Sequence, residues 1–113
     1  MSYRVMTYPV SDLAINYQDI AHELTRSCYR PSGHYRITGL CQSPTHVCFP
    51  AVVDQNGPYL RYVLAPIEGQ RIDELTADLN TRNQSGFVTL GMIDLGGSYL
   101  GLYAIPQDLD DQQ

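Results

Sequence analysis

The chain contains no lysine and no tryptophan, and charged residues make up only 17% of its 113 residues. Its cationic side chains are all arginines: Arg4, Arg26, Arg30, Arg36, Arg61, Arg71 and Arg82. Without lysine there is no side-chain amine for ubiquitin attachment, although an arginine-favouring, GC-rich genome would give the same composition. A basic excess is also missing. The formal net charge is -5 and the isoelectric point is about 4.8, which argues against non-specific nucleic-acid binding and against docking on anionic lipid. No stretch approaches the roughly 20 apolar residues of a membrane-spanning helix. The segment from Met1 to Pro9 lacks the apolar run and small-residue cleavage site of a signal peptide. A soluble, cytoplasmic protein is expected. Common catalytic signatures are absent too. Gly96-Gly97 is not followed by the Lys-Ser/Thr of a phosphate loop, there is no GxSxG elbow, and there is no CxxC or HxxxH spacing. The sequence therefore predicts a protein that is not an enzyme.

What is present suits one small folded domain. Hydrophobic residues are 43% of a 12.7 kDa chain, enough for a single modest core. A first strand is expected over Tyr3–Tyr8, stopped by Pro9, with a connection over Ser11–Ile15. Asn16 reads as an N-cap, and Tyr17, Ile20, Leu24 and Cys28 recur at helical spacing. Pro31 and Gly33 close that helix. Strands are expected over His34–Cys41 and Thr45–Val53, the latter at an edge or bulge because it contains Pro50. The turn Asp54–Pro58 leads to a strand over Tyr59–Ala65, stopped by Pro66. A second helix buries Ile72, Leu75 and Leu79. A hairpin of Phe87–Asp94 and Ser98–Ile105 turns at Leu95-Gly96-Gly97. Residues 107–113 form an acidic tail that is expected to be disordered.

The two halves, about 3–53 and 59–106, share one order of elements: strand, helix, strand, strand. Tyr17, Ile20 and Leu24 match Ile72, Leu75 and Leu79 at an offset of 55 positions, and Val47, Phe49, Ala51 and Val52 match Leu100, Leu102, Ala104 and Ile105 at 53. The expectation is an α+β domain over 1–106: a duplicated βαββ unit with pseudo-two-fold symmetry and an antiparallel sheet, continuous or barrel-like, carrying two helices. Leu79-Asn80, Gly86-Phe87 and the run Tyr99–Pro106 resemble a family of small bacterial βαββ domains of unknown function across residues 72–105. That resemblance implies a fold and no activity; where the family often has Trp after the glycine, this chain has Phe87.

Three groups of residues could carry chemistry. The seam between two halves is a favoured place for a pocket, and Tyr35, Arg36, Arg61, Tyr62, Tyr99 and Tyr103 are candidate contacts for a small-molecule ligand there. Arg30, Arg36 and Arg61 would suit an anion, or would pair with surface carboxylates. Cys41, His46 and Cys48 flank one turn and form the best candidate set for zinc or redox chemistry, with a Cys41–Cys48 disulfide as a further geometry and buried small hydrophobes as the plain alternative. No cofactor is otherwise expected. Nine tyrosines in a weakly charged domain suit protein contact. The expected function is a protein-interaction module, homodimeric through a strand edge. By its size it suits a bacterial or phage inhibitor or adaptor of a macromolecular partner. A sensor or sequestering protein with its ligand in the seam is the alternative.

Overall fold

The computed structural model describes residues 2–106; the expected tail, 107–113, lies outside the described residues. The elements are β1 (Tyr3–Pro9), α1 (Val10–Cys28), β2 (His34–Ile37), β3 (Cys41–Gln42), β4 (His46–Asp54), β5 (Leu60–Ile67), α2 (Ile72–Gln84), β6 (Val88–Asp94) and β7 (Tyr99–Pro106). They form an α+β fold with two antiparallel sheets. In the first, β4 lies between β1 and the broken strand β2/β3; in the second, β7 lies between β5 and β6. The sheets are separate and open, so the expected continuous or barrel-like sheet is not what forms. Each half does order its strands alike, with the last strand of the half in the middle.

Helix α1 starts at Val10, six residues before the expected N-cap Asn16. Pro9 ends β1 and takes the N-cap place, the Val10 N–H donates to the Thr45 carbonyl at 2.9 Å, and Asp12 sits in the first turn. Asn16 instead marks a kink (φ -110°, ψ 28°) inside the helix. Its side chain competes with the backbone for hydrogen bonds, which suits a break as well as a start. The helical stripe then buries Leu13, Ile20, Ala21, Leu24 and Cys28. Those side chains share one cluster with Met6, Phe49 and Ala51 of the first sheet and with Tyr62, Leu64, Leu100 and Leu102 of the second. Helix α1 thus packs on β1, β2 and β4 and, most extensively, on β5.

Pro50 and Pro66 sit inside strands rather than stopping them, Pro50 in a central strand and Pro66 in an edge strand. Pro50 lies in central β4, opposite the gap where the neighbouring strand breaks after Ile37. Its carbonyl accepts the Thr38 N–H at 3.0 Å, so its nitrogen faces the side where the partner leaves the sheet. Pro66 is tolerated because β5 is an edge strand.

Helix α2 lies on the far side of the second sheet and has no fully buried residue. Leu75 and Leu79 are half-buried. Ile72, expected on the buried face, is 83% exposed because it opens the first turn. Beneath α2 is Tyr103, fully buried but outside the main cluster, with the Arg82 guanidinium 4.7 Å from its ring centre. The ring lies over Gly101, where any Cβ would collide with the tyrosine hydroxyl end. Hence α1 covers the face of the first sheet that carries Val47, Phe49 and Ala51, whereas α2 covers the face of the second that carries Gly101 and Tyr103. Leu100, Leu102 and Ala104 face the other way, toward α1. The match at an offset of 53 therefore pairs residues on opposite faces relative to their own helices. A slip of one residue exchanges the two faces of a strand.

Burial raises the proton affinity of several core groups. The Cys28 thiol moves from 9.0 to about 11, chiefly by desolvation, with Arg4 and Tyr62 opposing. Desolvation, with a bond to and charge repulsion from Glu23, moves Tyr8 from 10.0 to about 12, against Arg4. Both folded values lie above the unfolded ones, so the stability linked to these groups is complete below pH 9 and is lost as pH rises through 11 and 12. Urea midpoints followed upward from neutral pH should stay level to about pH 9 and fall steadily from there to pH 12. A midpoint that is level to pH 12 would contradict this packing.

Candidate functional site

The two sheets meet along the segment that joins β2 to β3, and three contacts hold the seam. The Ile37 N–H donates to the Tyr62 hydroxyl at 2.8 Å. Leu40 lies against Gly91 of β6 so closely that a Cβ there would approach the leucine to 2.8 Å. The Gln42 carboxamide donates to the Asp94 carbonyl at 2.7 Å and accepts the Asp94 N–H at 3.0 Å, as a strand neighbour would. A shallow concavity opens beside this last pair, lined by Val10, Gln42, Ser43, Pro44 and Asp94–Gly96. A second, of about 340 Å³, lies where α1 meets the edge of β5, between Tyr17, Ala21 and His22 on one side and Arg61–Pro66 on the other. That edge is partly closed by Thr25. Its hydroxyl accepts the Tyr62 N–H at 2.9 Å and donates to the Ala21 carbonyl at 2.9 Å.

The six tyrosine and arginine candidates are not gathered into one pocket. Tyr62 is a core residue, 2% exposed, and its hydroxyl serves the seam. Tyr103 is fully buried under α2, where its Oη and the Arg82 Nε have no hydrogen-bond partner. Burial raises the pKa of both phenols, with Arg82 opposing the rise at Tyr103. Arg36 is exposed and paired with Asp54 at 3.2 Å. Arg61 is exposed on β5 with its guanidinium 5.9 Å from the Phe87 ring centre. Tyr99 is half-buried where β7 begins. Tyr35 lies apart from these, with Arg4 and Arg30 both near its ring, at 5.4 and 5.5 Å, beside a third concavity lined by Ser2, Arg30, Tyr35, Val53 and Gln55. Among the described residues, the proton affinities raised at Tyr8, Cys28, Tyr59, Tyr62 and Tyr103 all have burial as their largest cause. They mark core packing rather than an acid–base pair in a cleft.

Cys41 and Cys48 are register partners on β3 and β4, both free thiols, while His46 pairs with Pro9 two residues along β4. The His46 ring bonds to the hydroxyl of its neighbour Thr45 at 2.9 Å. Among the described residues, no group of three or more His, Cys, Asp or Glu side chains is arranged to hold a metal ion.

A different feature takes in Arg36 and Cys48 of the candidate residues. The face of the first sheet turned away from α1 carries Tyr3, Val5 and Thr7 from β1, Cys48, Pro50 and Val52 from β4, and Arg36 and Thr38 from the neighbouring segment. Tyr3 is 64% exposed and Val5 60%. The corresponding face of the second sheet is buried against α1. Both alternate sets of β1, Tyr3-Val5-Thr7 and Arg4-Met6-Tyr8, carry apolar groups, so the alternation does not say which of them is left uncovered. The chain matches no family model, no curated protein and no solved structure.

Replacing Gln42 with Ala removes both bonds to Asp94. The expected cost is about 1 kcal/mol, with faster hydrogen exchange at the Asp94 amide. Unchanged exchange there would show that the seam does not depend on the clamp.

Proposed function

We propose that this protein is a non-enzymatic interaction module whose contact surface is the outer face of the first sheet, and that the partner it fits is a second copy of the chain. The observation that carries this reading is the exposure of Tyr3 and Val5 on a sheet face that also holds Pro50 and Val52. β1, β4 and the broken β2/β3, spaced about 4.8 Å apart over the seven-residue length of β1, give a face of roughly 14 by 23 Å, the size of the largest apolar patch on many monomers. Charge on this face does not oppose a like partner. The chain carries a net -5, so two copies repel unless they meet through a face without net charge. Arg36 on this face is neutralised by Asp54. The area corresponds to a weak, concentration-dependent dimer rather than an obligate one, reached through the face and not through the strand edge that the sequence suggested.

The shared order of strands in the two sheets supports a duplicated βαββ unit, and the likeness of residues 72–105 to small bacterial βαββ domains belongs with that reading. The duplication would align the halves at an even offset near 54, which places each helix on the same face of its own sheet. A second functional reading, a small anion bound beside Tyr35, is favoured by one observation: Arg4 and Arg30 both approach that ring, and neither has a carboxylate partner among the described residues.

Sedimentation velocity over a range of concentrations tests the first reading. The wild type should shift from monomer to dimer, Val5→Glu should stay monomeric at every concentration, and Ile72→Glu, on exposed α2, should behave as the wild type. A wild type that remains monomeric throughout, or a Val5→Glu variant that dimerises equally well, would overturn it.

A further inference from the structure

Cys41 and Cys48 stand directly opposite each other on adjacent antiparallel strands. Residues so paired have Cα atoms about 4.5–5.5 Å apart, within the range of about 4.4–6.8 Å that a disulfide spans. Their side chains share one face of the sheet. That face is the outer one, because Val47 and Phe49 on either side of Cys48 are buried in the core. Cys41 is exposed and Cys48 half-buried, with the Thr7 hydroxyl donating to its sulfur at 3.6 Å. The third cysteine, Cys28, is fully buried on α1. The chain therefore holds two facing thiols within reach of solvent and one that is not.

We infer that Cys41 and Cys48 form a reversible thiol–disulfide site that exchanges with low-molecular-weight disulfides. The exposed Cys41 thiolate attacks one sulfur of the small disulfide, forming a mixed disulfide and releasing one small thiol. The Cys48 thiolate then attacks the Cys41 sulfur, breaking the mixed bond and releasing the second. Two protein S–H groups and one small disulfide become one protein disulfide and two small thiols, so the electrons balance without another oxidant. Permanent oxidation is not required, which suits a compartment where most thiols stay reduced. Bond formation also fixes the strand next to the clamp, because Gln42, the residue after Cys41, is the one bonded to Asp94. The exchange takes place on the monomer, since Cys48 lies on the face through which two copies are proposed to meet.

The test uses the full chain with oxidised glutathione, followed by intact mass measurement and alkylation after unfolding. The expected product has lost two hydrogens, carries no glutathione and takes up a single alkyl group, at Cys28. Reduced glutathione in excess should return a chain that takes up three. Cys41→Ser and Cys48→Ser should each fail to close the bond, and Cys48→Ser should retain glutathione at Cys41. Hydrogen exchange at the Asp94 amide should slow on oxidation of the wild type alone. A wild type that keeps glutathione on Cys41, that links two chains through Cys41, or that leaves both thiols free would overturn the inference.

Discussion

Helix α1 is buried from two sides, and the rest of the chain is arranged around that constraint. A small domain cannot enclose two separate cores, so the apolar surfaces of both sheets have to converge on one element. Leu13, Ile20, Ala21, Leu24 and Cys28 supply a stripe wide enough to meet β1, β2 and β4 on one side and β5 on the other. The kink at Asn16 divides the helix so that Leu13 and the later residues both reach the core. Thr25 completes the arrangement by satisfying the Tyr62 N–H on the exposed edge of β5, a group that would otherwise remain open to pairing with another chain.

The stacking that follows decides what is left over. With α1 between the sheets and α2 beyond the second, one sheet face has no cover, and it belongs to the first sheet. Tyr3 and Val5 are exposed there because the helix that would shield them lies on the opposite face. The seam, in contrast, is closed by the Gln42 clamp, Leu40 and the Tyr62 hydroxyl. A residue at the seam is therefore a packing residue, and the surface available for recognition lies on the outside of the stack.

Local pattern made much of this architecture readable. The helical spacing from Ile20 to Cys28 found the buried stripe, and the turns at Asp54–Gly57 and Leu95–Gly97 found the two reversals. Proline was misleading at Pro50 and Pro66, since its cost in a strand depends on which neighbour its nitrogen faces, and that is a property of the sheet. Spacing alone also placed Ile72 inside, but a helix presents its first turn to solvent when the sheet beneath it ends. Tyr62 and Tyr103 had the chemistry of ligand contacts and the location of core residues, because amphipathic rings fit both settings. The pairing of Cys41 with Cys48 was legible, since a short hairpin fixes its own register. The bare face was not, because it depends on which side of the sheet α1 takes.

One helix makes the two sheets a single cooperative unit. Native-state hydrogen exchange on the wild type and on Leu24→Ala tests it. The slowest amides of β4 and β7 should share one opening free energy, and the substitution should lower both by the same amount, about 2–5 kcal/mol for a leucine cut from a packed core. Different opening free energies for the two strands in the wild type, or a loss confined to one sheet in the variant, would contradict it.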